Sequence, residues 1–300
     1  MNERMLAVVN PAAGGGKCGR LATAALEKLR EAGVEIEVRE TRAPGEGISI
    51  AREAYAAGYR KFLAVGGDGT SFEIVNGVFP ESLKQGRIAL GFLPLGTGNS
   101  FLRDFTERGA EYALAAIIAG RRRACDVLKL THAGGTLYFI NLLSMGFAAD
   151  VAALVTRRFK WLGELGYLLG VLTGMARLRR RAFPVRLDDD AELDRRRCLF
   201  LSFNNSKFTG GKMMIAPLAE TSSGKVEYVR WGPIGRLGLV RMLPRLYDGT
   251  HLEHRLAEHR AARRVEFELD GPVDVMVDGE VMTVECRRIE VLPGAMDVMV

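Results

Sequence analysis

The sequence predicts an α/β domain with a parallel sheet, followed by a second domain rich in antiparallel strands. Residues 1–127 alternate between short apolar runs and amphipathic stretches, which is typical of strand–helix–strand units. Residues 265–270 instead alternate strictly between apolar and acidic side chains, which is typical of a half-buried antiparallel strand. A length of 300 residues suits two domains, and a hydrophobic content of 48% provides a core for each.

The elements follow in order along the chain. In residues 1–127, strands are predicted at 6–9, 34–38, 62–65 and 88–92, and helices at 21–29, 48–57 and 72–78. In residues 128–292, strands are predicted at 128–130, 137–142, 185–187, 198–203, 226–229 and 265–270. Helices of that second domain are predicted at 148–158, 161–178 and 234–247.

Composition narrows the function classes without choosing one. The net charge of +6 and the pI near 9.2 favour a partner that carries phosphate: a nucleotide, a nucleic acid or an anionic membrane. The four cysteines form no Cys-x-x-Cys pair, which indicates a reducing cytoplasm rather than a zinc site or disulfides. No secretory signal pattern is present, and 161–178, which contains Glu164 and four glycines, is too marginal to predict a transmembrane helix.

The sharpest motif is a glycine-rich turn between a predicted strand and a predicted helix, with the sequence Val65-Gly66-Gly67-Asp68-Gly69-Thr70. Glycines let backbone N–H groups approach a phosphate closely, and the following helix adds its positive N-terminal end. Asp68 is a candidate for holding Mg²⁺ or a water against the phosphate oxygens. The alternative is a tight turn in which Asp68 only caps the helix.

Two further glycine clusters also follow predicted strands. One of them follows the strand at 88–92 and has the sequence Leu93-Pro94-Leu95-Gly96-Thr97-Gly98-Asn99. In a parallel sheet it lies at the same carboxyl edge as the first turn, where ligands bind. The alternative is an ordinary loop without a ligand. Gly14, Gly16 and Gly19 match the weak G-x-G-x-x-G dinucleotide pattern, and we interpret their segment as another loop that faces phosphate.

Together these motifs resemble the diacylglycerol kinase catalytic family, which includes bacterial lipid kinases and sphingosine kinases and is distantly related to NAD kinases. The resemblance runs from Asn10-Pro11 through the two later glycine clusters, Cys125-Asp126-Val127, Asn141 with Gly146-Phe147, and residues 211–217 to Asp278-Gly279-Glu280. It implies a nucleotide-binding α/β domain at 1–127, completed by about 293–300, and an antiparallel β-sandwich domain at 128–292 that binds the lipid. The last strand would then return to the first domain.

The resemblance also implies the site and its ligands. ATP and Mg²⁺ would be bound, the metal by Asp68 and Asp126, and catalytic carboxylates would be Asp278 and Glu280. The implied nucleotide-binding residues are Asn10, Pro11, Gly14, Thr41, Gly66, Gly67, Asp68, Gly69, Thr70, Ser71, Phe72, Glu73, Gly96, Thr97, Gly98 and Asn99.

Three positions depart from the family pattern. Ser100 stands where many members have Asp, and Phe72 where bacterial lipid kinases usually have Asn. Ser223-Gly224-Lys225-Val226-Glu227 replaces the Asp-Gly-x-x-Asp stretch of a structural Mg²⁺ site, so we do not expect a metal there.

Asp278 and Glu280 lie two positions apart and, on one strand, would share a face, where two close carboxylates favour a general base. From the residues alone, an Asp-Gly hairpin turn with a solvent-facing Glu280 remains the alternative.

Residues 157–186 contain eight basic residues and one acidic residue around an apolar centre. This pattern predicts peripheral binding to the anionic, inner face of a membrane, with a buried helix with charged ends as the alternative.

Two other function classes stay open. A kinase of the NAD kinase type would share the glycine turn, and an NAD-binding oxidoreductase would explain Gly14, Gly16 and Gly19. Nucleic acid is not an expected partner, because no RRM or OB pattern is present. The acceptor lipid and the oligomeric state, a homodimer included, cannot be read from the sequence.

Overall fold

A computed structural model describes residues 2–155, 173–176 and 178–300. Contacts between Cα atoms divide the chain into two compact units. Unit 1 comprises Met1–Val127 with Pro293–Val300, and unit 2 comprises Leu128–Leu292.

Unit 1 is an α/β unit built on a parallel sheet with the strand order β2-β1-β3-β4. Its strands are β1 (Asn2–Val9), β2 (Ile36–Glu40), β3 (Tyr59–Gly66) and β4 (Ala89–Pro94). Its helices are α1 (Lys17–Glu31), α2 (Glu46–Ala56), α3 (Asp68–Val78), α4 (Ser82–Gln85) and α5 (Ala110–Ile118), with a 3₁₀ turn at Phe101–Asp104. The α/β prediction is confirmed.

The core of unit 1 lies under helix α1. Cys18, Ala22, Leu26 and Leu29 recur every three to four residues, so they line one face of the helix, and all four are buried against β1 and β3. Strands β3 and β4 and the second half of β1 are mostly buried, as expected where helices cover both faces of a parallel sheet, whereas the edge strand β2 is only partly buried.

Unit 2 is built from antiparallel strands. They are β5 (Arg123–His132), which begins in unit 1, β6 (Gly135–Phe139), β7 (Leu142–Gly146), β8 (Arg181–Ala182), β9 (Val185–Leu187), β10 (Arg197–Cys198), β11 (Phe200–Asn204), β12 (Phe208–Thr209), β13 (Met213–Met214), β14 (Val226–Trp231), β15 (Ala257–Ala262), β16 (Arg264–Phe267), β17 (Val273–Val277), β18 (Glu280–Val284) and β19 (Cys286–Met299).

One sheet of unit 2 has the order β15-β14-β11-β7-β17-β18, and a second antiparallel group joins β9, β16 and the first half of β19. The Phe203 ring of β11 packs edge-on against the Phe267 ring of β16, with ring centroids 5.2 Å apart, so the two layers share a core. The end of β19 pairs in parallel with β4 at Asp297, Val298 and Met299. The predicted sandwich-like domain and the return of the last strand are thus confirmed.

The helices of unit 2 differ in part from the prediction. Helix α6 (Phe147–Leu154) occupies most of the expected 148–158, while 156–172 and 177 lie outside the described residues and take most of the expected 161–178 with them. A single helix at 234–247 is wrong. The structure has two short helices, Arg236–Met242 and Arg245–Asp248, because Pro244 lacks the N–H that would continue the first.

Candidate active site

Three glycine-rich loops of unit 1 meet at the carboxyl edge of its parallel sheet. The Asn10 N–H donates to the Val65 carbonyl at 3.0 Å, and the Gly96 N–H donates to the Gly66 carbonyl at 2.8 Å. A Cβ on Gly14 would lie 2.7 Å from the Leu95 carbonyl oxygen, so the first and third loops also touch. The loops after β1, β3 and β4 therefore form one surface, as parallel strands predict.

The closest approach is between two glycines. A Cβ on Gly96 would stand 2.5 Å from Gly67 Cα and 2.7 Å from Gly67 N, closer than real Cβ atoms come. Gly67 itself would tolerate a Cβ, whose nearest neighbour would be Gly96 Cα at 3.5 Å. Gly96 is therefore required for the loops to meet, whereas the missing side chain of Gly67 leaves its backbone open to a ligand.

Asp68 begins α3 and its carboxylate is turned toward the loop after β4. It accepts N–H bonds from Ser100 at 2.9 Å and Phe101 at 3.3 Å. Burial raises the pKa of Asp68, and the N–H groups of Ser100 and Phe101 and the Ser100 hydroxyl oppose that rise. The carboxylate thus links the second and third loops.

Residues of α3 have distinct surroundings. The Thr70 hydroxyl is buried and has no hydrogen-bond partner among the described residues, and the Ser71 hydroxyl donates to the Asp68 carbonyl. Phe72 is buried in the core, so its side chain does not face the loop surface as a polar ligand would. The Glu73 carboxylate accepts N–H bonds from Gly45 at 2.7 Å and Gly47 at 2.8 Å, which caps the start of α2.

The remaining predicted residues lie in the loops themselves. Thr41 follows β2, and its N–H donates to the Val9 carbonyl at 2.8 Å. Asn99 adopts a left-handed conformation with φ of 49°, and its side-chain amide donates to the Gly96 carbonyl at 2.8 Å. Thr97, in the same loop, is exposed, whereas Pro11, Gly69 and Gly98 are half-buried.

Asp126, on β5, is buried and accepts the Gly294 N–H at 2.8 Å. This bond fixes the turn through which the last strand enters unit 1. Among the ranges that the structure describes, no cluster of three or more His, Cys, Asp or Glu side chains has the spacing of a metal site. The carboxylates of Asp68 and Asp126, the two implied metal ligands, each accept hydrogen bonds from backbone N–H groups.

In unit 2, Asp278 and Gly279 form the two-residue turn between β17 and β18. Both have positive φ, 48° and 89°, as a type I′ hairpin turn requires. The Asp278 side chain is buried, and its carboxylate accepts N–H bonds from Ile140 at 2.9 Å, Asn141 at 2.9 Å and Leu142 at 3.0 Å. It thereby ties the hairpin to the start of β7.

The expectation that Asp278 and Glu280 share a face is wrong. Glu280 is exposed at the first position of β18, whereas Asp278 points into unit 2, because the turn reverses the chain between them. The period of two holds only along a continuous strand, and the motif ends one strand and begins the next.

Sequence reasoning missed two residues that support this turn. The Asn205 side-chain amide donates to the Ile140 carbonyl at 2.8 Å, and the Ser206 hydroxyl donates to the Asn141 side-chain oxygen. Both residues are fully buried. The Asn-Asn-Ser run that contains them is polar directly after an apolar strand, and that contrast was the available signal.

Comparisons with known proteins identify the family. Residues 4–130 match the model of the diacylglycerol kinase catalytic domain, and residues 141–300 match the YegS C-terminal NAD kinase beta sandwich-like domain. The chain belongs to the diacylglycerol kinase catalytic family. It is therefore a phosphotransferase of the lipid kinase class, as predicted.

Individual relatives agree with that assignment along the whole chain. A Chromohalobacter salexigens protein described as "Probable lipid kinase YegS-like" is 33% identical over 281 residues, which are 91% of this chain and 86% of that protein. A "Diacylglycerol kinase" of Mycobacterium tuberculosis is 26% identical over 300 residues, covering 99% and 94%. A diacylglycerol kinase crystal structure from Bacillus anthracis shares the fold, with a TM-score of 0.73, 20% identity, and coverage of 99% and 96%.

The departures from the diacylglycerol kinase pattern have structural counterparts. Ser100 replaces a carboxylate by a hydroxyl that bonds Asp68. The Ser223 hydroxyl donates to the Lys225 carbonyl and accepts the Lys225 N–H. The Glu227 carboxylate lies 3.1 Å from the His259 ring nitrogen.

The basic segment expected to bind membranes lies mostly outside the described residues. Of its described arginines, Arg181 forms an ion pair with Asp150, and Arg180 donates to the Ile234 carbonyl at 3.2 Å, while Arg179 is exposed. No helix within the described ranges is long and apolar enough to cross a membrane.

Proposed function

We propose that this member of the family transfers the γ-phosphate of ATP to a hydroxyl group of a membrane lipid. Diacylglycerol is the first candidate acceptor, followed by a sphingoid base or ceramide and then a phosphatidylglycerol-like headgroup. The observation that carries the proposal is the meeting of three glycine-rich loops at one edge of the sheet in unit 1. The names of the relatives support the lipid acceptor.

The loop surface has the chemistry of a phosphate site. Gly67 and Gly69 have no side chain to hold a phosphate away from the backbone, and both precede or open the eleven-residue helix α3. Asn10, Thr41, Thr97 and the third loop would supply neutral hydrogen bonds to the rest of the nucleotide.

Carboxylate oxygens are the ligands that Mg²⁺ prefers, so Asp68 and Asp126 suit that ion in chemical type. Each uses oxygens for backbone N–H groups but retains further lone pairs. When bound, Mg²⁺ neutralises charge on the transferred phosphate. Asp68 and Asp126 would hold it, directly or through water.

We assign different roles to the two carboxylates of unit 2. Glu280 is exposed and would accept the proton of the lipid hydroxyl. Asp278 already accepts three N–H groups, so it is a positioning residue that fixes the hairpin carrying Glu280. The reaction is the attack of the lipid oxygen on the γ-phosphorus, with release of ADP and transfer of the hydroxyl proton to Glu280.

The proposed working location is the cytoplasmic face of an anionic membrane, with phospholipid metabolism as the context. An acceptor with two acyl chains cannot leave the bilayer cheaply, because each exposed CH₂ costs about 0.8 kcal/mol. The enzyme must therefore meet its substrate at the surface.

The test offers labelled ATP and Mg²⁺ to a mixed lipid extract, a soluble metabolite pool and RNA in parallel. We expect label in the lipid fraction, a loss of about 10²-fold or more in kcat for Asp68→Asn, and no change for Glu27→Gln, an exposed carboxylate on α1. Label in a soluble dinucleotide would instead favour the NAD kinase type of activity. Transfer to no lipid under any condition would refute the proposal.

A further inference from the structure

Two consecutive short helices of unit 2 expose apolar side chains that the fold does not require. In Arg236–Met242, Leu237 is 76% exposed and Val240 is 49% exposed, and in Arg245–Asp248, Tyr247 is 58% exposed. These three residues, with Arg241 and Arg245, are called the 237–247 face below.

The opposite side of the same helices already anchors them. Leu239, Met242 and Leu246 are buried in the apolar cluster that includes Trp231 and Ile234. A surface helix of a globular protein normally has one apolar side and one polar side. Apolar residues on the outer side therefore contribute little to folding and indicate a surface that is covered in use.

Arginines surround the apolar residues. Arg241 and Arg245 are exposed, and no carboxylate among the described residues lies within ion-pair distance of either. Arg236 and Arg180 are held beside them, the first by the carbonyls of Met175 and Ala176 and the second by that of Ile234.

Asp248, the last residue of the second helix, bonds mainly to Thr250. The Asp248 carboxylate accepts the Thr250 N–H at 3.0 Å and the Thr250 hydroxyl at 2.7 Å. The Thr250 bonds are the main cause of the lowered pKa of Asp248, and the Arg245 charge adds to it, so Asp248 partly compensates Arg245. The face still carries two arginines against this one acid and therefore combines apolar side chains with net positive charge.

We propose that the 237–247 face docks on the surface of an anionic bilayer. Leu237, Val240 and Tyr247 would enter the interface, and Arg241 and Arg245 would bind lipid phosphates. Arginine suits this role because its planar guanidinium binds phosphate through two N–H groups, and tyrosine is enriched at membrane interfaces. The inference rests on the proposed lipid-kinase function, for which it names a docking surface.

A second copy of the chain fits the face less well. A twofold interface would place the same arginines against each other, and like charges at close range repel. Three exposed apolar side chains are also far fewer than the ~20–30 residues a side of a standard protein interface. An anionic lipid surface supplies what a second copy lacks: negative charge opposite the arginines, and an apolar layer that can receive a small number of side chains.

The test measures sedimentation of the full-length protein with vesicles of neutral phosphatidylcholine, alone or with 30% phosphatidylglycerol, at low and high salt. Each basic residue near an anionic surface is worth about fivefold in partitioning, so Arg241→Glu with Arg245→Glu should reduce binding at low salt at least about tenfold. That difference should shrink at high salt. Leu237→Ser should weaken binding at both salt concentrations.

The matched control is Leu83→Ser with Arg30→Glu, since these residues are similarly exposed on unit 1. It should bind vesicles as the wild type does. All variants should phosphorylate a short-chain, water-soluble diacylglycerol at the wild-type rate, so a loss of vesicle binding alone supports the docking surface.

Two results would overturn the inference. Vesicle binding by the 237–247 variants that equals that of the control would place docking elsewhere, and a fall in molecular mass for Leu237→Ser would show that a second copy covers the face. Failure to phosphorylate any lipid, with vesicle binding that still depends on the face, would refute the proposed acceptor and leave the docking surface standing.

Discussion

The contact between Gly96 and Gly67 allows a quantitative test of the loop surface. In Gly96→Ala the new methyl would stand 2.5 Å from Gly67 Cα and 2.7 Å from Gly67 N. Ordinary carbon contacts lie at about 3.5–4.0 Å, so the overlap is about 1 Å. Both opposing atoms belong to the backbone, which cannot rotate away as a flexible side chain would.

The cost follows from two contributions. Overpacking of this kind typically costs about 1–3 kcal/mol. Separation of the loops would also break the bond from the Gly96 N–H to the Gly66 carbonyl, which has a length of 2.8 Å and a net contribution of about 1 kcal/mol. At about 2–4 °C per kcal/mol for a unit of this size, the total of about 2–4 kcal/mol predicts a Tm lowered by about 4–16 °C.

The control is Gly67→Ala, in the same contact. Its methyl would meet Gly96 Cα at 3.5 Å, an ordinary distance, and its φ of −115° is accessible to alanine. We expect Gly67→Ala to melt close to the wild type but to lose kinase activity, because its methyl obstructs the proposed phosphate. Calorimetry and ATP turnover separate the two variants. A wild-type Tm for Gly96→Ala, or equal destabilisation of both, would refute this account of the loops.

Three further predictions concern unit 2. Glu280→Gln should abolish phosphoryl transfer and lower Tm less than Asp278→Asn does. Asp278→Asn should lower both activity and Tm, because it disturbs three buried N–H bonds. Equal Tm losses in the two variants, measured by calorimetry, would contradict the two roles. Burial lowers the pKa of His251, so the unfolded chain binds its proton more readily and stability should fall as pH drops below about 6.5. Urea titrations should show that fall reduced in His251→Gln, and an unchanged pH profile would exclude His251 as its source. Burial raises the pKa of Glu227, so the contribution of Glu227 to stability is lost as pH rises through that raised pKa. Glu227→Gln should therefore be more stable than the wild type at pH 7 and lose that advantage near pH 4. A variant less stable than the wild type at pH 7 would contradict this prediction.

The sequence was most informative where local pattern and topology agree. The apolar runs before each glycine cluster are β1, β3 and β4, and parallel pairing of these strands requires their loops to meet. Pro244 lacks an N–H and therefore favours a break between Arg236–Met242 and Arg245–Asp248, whereas the apolar spacing continues across it and favours one helix. The missing N–H decides the outcome.

Long-range side-chain bonds were beyond local patterns. Glu73 lies beside the glycine turn in sequence, yet its carboxylate caps α2 through Gly45 and Gly47. Asp126 holds Gly294, which is 168 positions away. Such partners depend on how distant segments pack, and neither propensity nor spacing in one chain specifies them.

The Asp-Gly-Glu motif shows how the two interpretations of one pattern can both hold. Asp278 and Gly279 do form the hairpin turn that their sequence favours, and positive φ at both positions is the reason that Gly follows Asp. The turn directs the Asp278 carboxylate inward to the N–H groups at 140–142 and leaves Glu280 exposed on the next strand. A hairpin held at its tip by three hydrogen bonds presents its next residue in a defined place, which is what a general base needs. The turn therefore provides the rigid support for the catalytic role proposed for Glu280.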